Sequence, residues 1–226
     1  MFFFVILSGS LKSEPGQLID YTHQSTMTQD EIIFILWFAG FDPVADFGIS
    51  VYDIKYETEG EGGYIDTLSG LVAFPHSPIE AFPILSYQHG TAVNDASAPS
   101  LAGLTMDNPE VLLISLVTAP SGYITLFPDY EGLGDPNKFH PFIIAESYTH
   151  SVVNMVRAVK QLSAELEGED QFQFNNQLFL IGYSEGGYAT MAVQRGIELN
   201  FSDEFTITTS CPMAGPYDLA GTMVDY

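Results

Sequence analysis

Two kinds of apolar spacing alternate along the chain. Residues 48–58 (GISVYDIKYET) switch between apolar and polar positions, as a half-buried strand does. The turn-rich stretch 59–63 (EGEGG) follows, and apolar residues resume over 64–74, so the pattern predicts an antiparallel hairpin. A short apolar run at 83–87 ends in Gln88-His89-Gly90-Thr91. Another at 123–127 ends in Pro128-Asp129-Tyr130-Glu131-Gly132-Leu133-Gly134. Each reads as a strand closed by a loop. Residues 92–108 are rich in small side chains and read as loop. Asn108-Pro109-Glu110 then combines a cap residue, a proline at the first helical position and an acid in the first turn, which predicts a helix over 111–117. Residues 146–167 carry apolar side chains at 152, 156 and 159 and at 155, 162 and 166, a helical spacing. The continuous run Leu178 to Ile181 is expected of a strand buried on both faces of a parallel sheet. A helix over 186–199 and a strand over 205–211 complete the pattern.

Two apolar segments lie nearer the N-terminus. Ile32 to Phe41 is too short to span a bilayer, and it follows Thr28-Gln29-Asp30-Glu31, a capping box. It therefore reads as a packed helix, Gln29 to Phe38. The opening MFFFVILS, with Ser8 and Ser10 close behind, reads as the tail of an export-signal apolar region. It lacks a basic start and is short for that role, so an ordinary apolar terminus is the competing reading. Residues 1–25 are taken as an N-terminal tail and 26–226 as one domain, with no repeat or linker inside it. A hairpin followed by alternating strands and helices predicts an α/β sandwich with a mostly parallel sheet.

Composition adds three constraints. A chain of 226 residues, 46% hydrophobic, can bury one substantial core. Its 29 acidic residues against 6 basic ones give a net charge of −23, which disfavours nucleic acid and anionic membranes as partners. Cys211 is the only cysteine, which rules out an internal disulfide. Its apolar-alternating surroundings predict a buried thiol.

The candidate chemistry lies at 182–187, Gly-Tyr-Ser-Glu-Gly-Gly. A G-x-S-x-G match alone is weak, but here a strand is predicted before it and a helix after it. Such a turn strains the central residue and leaves no room for neighbouring side chains. Gly182 and Gly186 therefore flank Ser184, and Gly187 gives room for the helix against the sheet. The turn lifts the Ser184 hydroxyl off the sheet edge and aims the backbone N–H of Glu185 at a reacting oxygen.

The blocks Ser86-Tyr87-Gln88-His89-Gly90-Thr91, Pro128 to Gly134 and Gly182 to Gly187 together resemble the α/β-hydrolase superfamily. Within it they are similar to the secretory, lipase-A-like lipases and bacterial serine esterases. The resemblance covers about residues 45–220. It implies a serine esterase or lipase that is exported to the periplasm or beyond. No metal or cofactor is implied, and the substrate is a small-molecule or lipid ester. It also implies a second oxyanion donor after the strand at 83–87, for which the Thr91 N–H is the candidate, with Gly90 letting the backbone approach. His89 is read as bonding its own loop, and Asp129 and Tyr130 as loop anchors rather than catalytic groups.

The superfamily order is nucleophile, acid, histidine. His23, His76, His89, His140 and His150 all precede Ser184, and no histidine follows it. Of the acids after it (Glu198, Asp203, Glu204, Asp218 and Asp225), Asp218 comes soon after the strand at 205–211, where some hydrolases place an acid. The expectation is a partial α/β-hydrolase domain over 26–226, ending before the triad acid and histidine, inactive alone and poorly soluble through an uncovered strand edge. The alternatives are a peptidase or acyltransferase on the same fold, or a non-catalytic hydrolase-like binding protein. Acyl preference and oligomeric state are not encoded in these features.

Overall fold

A computed structural model describes residues 14–60, 62–77 and 80–221. The expected export signal and Asp225 lie outside them. The described strands are β1 (Leu18–Met27), β2 (Ile49–Glu59), β3 (Ile65–Pro75), β4 (Ala81–Gln88), β5 (Ile124–Pro128), β6 (Gln173–Tyr183) and β7 (Ile207–Met213). They form one sheet in the order β1-β2-β3-β5-β4-β6-β7. The β1, β2, β3 and β5 neighbours pair antiparallel, whereas β5-β4, β4-β6 and β6-β7 pair parallel. The helices are α1 (Gln29–Phe38), α2 (Pro99–Ala102), α3 (Pro109–Thr118), α4 (Ala145–Glu165) and α5 (Glu185–Asn200).

Alternation along the strands builds two cores. Tyr52, Ile54 and Tyr56 of β2, Val72 and Phe74 of β3, and Leu178 and Leu180 of β6 point to the face covered by α4 and α5. Their neighbours Val51, Leu71 and Ala73 point to the face covered by α1 and α3. This is the expected α/β sandwich, with helices on both faces of a mostly parallel half-sheet.

Local signals are realised where they were strongest. Thr28 and Glu31 form a full capping box on α1. The Asn108 side chain accepts from Val111 N and Pro109 opens α3. The hairpin β2–β3 pairs without a register shift from Ile49↔Pro75 to Glu59↔Ile65.

Four expectations need correction. Part of the segment taken as an N-terminal tail is strand β1, paired with β2 over Leu18 to Met27. It is an edge strand with mostly exposed side chains, so it carries no apolar alternation. The stretch 92–108 is not all loop, because α2 forms within it. Phe179 and Ile181 are only half-buried, since α1 and α3 lie mainly over β2 to β5. Cys211 is exposed rather than buried. It sits on the edge strand β7 beside Ile181, on that same thinly covered face.

Candidate active site

The parallel strands β4 and β6 end side by side, with Gln88 in register with Gly182. One residue beyond β6, Ser184 has φ 59° and ψ −121°, and α5 begins at Glu185. Left-handed φ in a non-glycine residue costs about 1–3 kcal/mol and persists only where the surroundings impose it. Three backbone contacts do so here. Ser184 N donates to Met213 O at 3.0 Å, and Ser184 O accepts from Gly187 N at 2.9 Å and Tyr188 N at 3.2 Å.

The flanking glycines are required by backbone proximity. A Cβ on Gly182 would lie 2.3 Å from Gly186 O, and one on Gly187 would lie 2.2 Å from Met213 O. At Gly186 the clash would be with Gln88 O, at 1.8 Å. Strands β4, β6 and β7 thus press their C-terminal ends against the first turn of α5. Gln88 secures this contact: its fully buried side chain donates to Ser86 Oγ and accepts from Thr190 Oγ1 on α5. Gly90 differs from the elbow glycines. A Cβ there would reach only ordinary contact, 3.5 Å from Glu110 Oε2.

The Ser184 hydroxyl is half-buried and has no hydrogen-bond partner among the described residues. The first amide of a helix has no intrahelical acceptor, which leaves Glu185 N–H available. Thr91 lies exposed just past the end of β4. Its loop is tied down by Glu110, whose Oε1 accepts from Gly90 N at 3.1 Å and from Tyr87 OH at 2.7 Å. Tyr87 is pushed up in pKa by burial and then by this carboxylate, so it stays a donor.

None of the five histidines hydrogen-bonds Ser184. His89 is buried, bonds Gly90 O through Nδ1 and stacks on Tyr130, in keeping with its loop role. Tyr130 OH donates to His89 O. The buried Asp129 accepts from Ser69 Oγ and from both the amide and hydroxyl of Ser100, so both residues anchor loops as read. His150 lies against Glu59, and His23 against Thr26. His140 bonds Glu185, a pairing across 45 positions that no local pattern announces.

One Ser, His, Asp set does exist elsewhere. Ser50 Oγ lies 2.6 Å from His76 Nε2 and also donates to Asp170. The carboxylate meets the serine rather than orienting the imidazole, and Ser50 is fully buried. The set also sits at the opposite end of the sheet, since β3 pairs Ala73 with Thr125 near the start of β5. It is a structural crosslink and lacks the relay order of a triad.

The described acids after Ser184 are likewise occupied or distant. Glu204 is gripped by Arg157 and Glu198 accepts from Gln194. Asp203 and Glu204 lie in the turn before β7, away from the elbow. Asp218 follows β7 at the elbow end and accepts from Gly221 N. No cluster of three or more metal-ligating side chains occurs among the described residues, and no helix there is long and apolar enough to cross a membrane.

No protein-family model and no curated protein sequence matches the chain. Solved structures do. The rice cell wall degrading esterase LipA from Xanthomonas oryzae (a G231F mutant) superposes with a TM-score of 0.83 at 27% identity, over 94% of this chain and 53% of its own. A provisionally assigned hydrolase from Legionella pneumophila gives 0.76 at 28% identity, over 89% of this chain and 53% of that one. Candida antarctica lipase A, at 20% identity and a TM-score of 0.61, shares the fold over 88% of this chain and 42% of its own. The chain thus spans about half the length of the esterases it matches. By fold it is an α/β-hydrolase, and its structural likenesses lie with the esterases and lipases of that superfamily.

Proposed function

We propose that this chain carries the nucleophile half of a serine-dependent carboxylic-ester hydrolase. Ser184 Oγ attacks the ester carbonyl carbon, and its proton passes to a base supplied from outside the described residues. The tetrahedral oxyanion is held by Glu185 N–H and Thr91 N–H. Its collapse expels the alcohol and leaves an acyl-enzyme, which water then hydrolyses. The observation that carries this reading is the backbone of Ser184, strained at φ 59° between β6 and α5 with no hydrogen bond to hold its hydroxyl back. The strain fits a group that has to be presented. An exported hydrolase acting on extracellular esters fits the acidic charge and the lack of any membrane-spanning helix among the described residues.

A second reading has a specific observation behind it. All five histidines have partners or positions away from Ser184, which favours a non-catalytic hydrolase-like binding protein. A peptidase or acyltransferase would use the same elbow. The experiment is hydrolysis of p-nitrophenyl acetate and of the matching anilide by the wild type and Ser184→Ala, each in the protein that includes the proposed base. Ester turnover that disappears in Ser184→Ala supports the esterase. Anilide turnover of similar rate points to the peptidase. Equal background rates in both proteins leave the binding protein.

A further inference from the structure

A buried histidine–carboxylate pair stands behind the elbow, and the chemistry above makes no use of it. The Glu185 side chain is 1% exposed. Its Oε1 accepts from Tyr148 OH at 2.7 Å and lies 2.8 Å from His140 Nε2. The other ring nitrogen, His140 Nδ1, lies 2.8 Å from Glu131 O. A carbonyl oxygen and an ionised carboxylate are acceptors only, while a neutral imidazole has a single N–H. With Glu185 ionised, both contacts are made together only by an imidazolium.

The position gives this pair its consequence. Glu185 follows Ser184 directly, and its amide is the proposed oxyanion donor. A bare carboxylate in that first turn would oppose the negative charge that develops on the tetrahedral intermediate, and in a buried site the opposition is strong. An imidazolium bonded to it cancels that field and fixes the residue that carries the amide.

We propose that His140, as an imidazolium held between the Glu185 carboxylate and Glu131 O, is the positioning residue of the oxyanion site. It neutralises Glu185 and locks the first turn of α5 so that Glu185 N–H faces the reacting oxygen. This deepens the reading of Ser184 as nucleophile and rests on it. The groups facing His140 are the Glu131 carbonyl and carboxylate from the loop after β5, Tyr130 stacked at 6.0 Å, Tyr148 from α4 and Glu185 from α5. Burial pushes His140 down, but its bonds to Glu185 and Glu131 and their charges outweigh this and hold it above the ordinary histidine range. Burial likewise raises Glu185, and the bonds from His140 and Tyr148 outweigh it, leaving the carboxylate below its usual range. The clamp is therefore complete between the lowered Glu185 pKa and the raised His140 pKa, and it is lost as pH rises through the latter.

Two measurements test this, the ring state on this chain and turnover in the protein that includes the proposed base. Ring 15N chemical shifts, assigned through His140→Gln, report the protonation state without any turnover. Both nitrogens of His140 are expected to be protonated at pH 7, and Glu185→Gln is expected to move the titration to lower pH. A neutral ring at pH 7 overturns the proposal. The second is Ser184-dependent hydrolysis of p-nitrophenyl acetate. His140→Gln is expected to lower kcat about tenfold or more with KM within about twofold. The double variant His140→Gln/Glu185→Gln is expected to regain most of that loss, because the charge that needed cancelling is gone. A structural role alone gives no such rescue, so unchanged kcat in the single variant, or no recovery in the double, contradicts it. If Ser184→Ala matches the wild type, the nucleophile reading falls and takes the oxyanion role with it. The ring state then still reports whether the ion pair exists.

Discussion

Gly186 and Gln88 lie so close that a Cβ on the glycine would stand 1.8 Å from the Gln88 carbonyl oxygen. The contact joins the end of β4 to the first turn of α5, and it brings the two proposed oxyanion amides to one end of the sheet. Because the obstacle is backbone, it cannot step aside. Gly186→Ala is expected to cost about 3 kcal/mol or more, a large part of a domain's stability. Urea denaturation checks this, and a loss under 1 kcal/mol would mean that the strands do not pack as described.

Ser184 should respond in the opposite sense. Glycine accepts φ 59° without strain, so Ser184→Gly is expected to raise stability by about 1 kcal/mol, after allowing for the extra freedom of the unfolded chain. The same denaturation experiment reads it. A variant less stable than wild type would show that the elbow is relaxed.

Asp53 supplies a pH dependence. Burial raises its pKa from 3.8 to about 6, with the Gln24 bond opposing and Asp129 adding to it. Between those values the folded state holds more protons than the unfolded one, so stability falls as pH rises through this window and then levels off. Asp53→Asn removes the penalty of the ionised form and keeps an acceptor for Gln24. Since the carboxylate is only partly buried, the gain is expected to be about 1 kcal/mol at pH 7.5 and close to zero at pH 4. Chemical denaturation at the two pH values measures it, and an equal difference at both would refute the assignment.

Cys211 is exposed on β7, so its thiol is expected to react with a disulfide reagent in the folded protein. Absorbance at neutral pH without denaturant follows the reaction. Reaction only after unfolding would restore the buried reading that the sequence suggested.

What the sequence conveyed, and what it hid, follows from the range of the interactions. The α1 capping box, the Asn108-Pro109 start of α3 and the glycine spacing at the elbow are local, and each was legible within a few residues. The β2–β3 hairpin was legible because over Tyr52 to Thr58 one face of β2 is buried while Asp53, Lys55 and Glu57 on the other are less so. Strand β1 was not, because an edge strand with exposed side chains shows no period. Cys211 misled for a related reason: apolar neighbours along a strand do not say whether a helix covers their face. The His140–Glu185 bond joins a loop without periodicity to a helix start, so only the fold reveals it.

The most direct measurement is covalent. The wild type and Ser184→Ala, each in the protein that includes the proposed base, are incubated with a fluorophosphonate, and the intact mass and peptide map are recorded. The account predicts a single phosphonyl adduct, on Ser184, absent from the variant. No adduct on the wild type, or one that persists in Ser184→Ala, would contradict it.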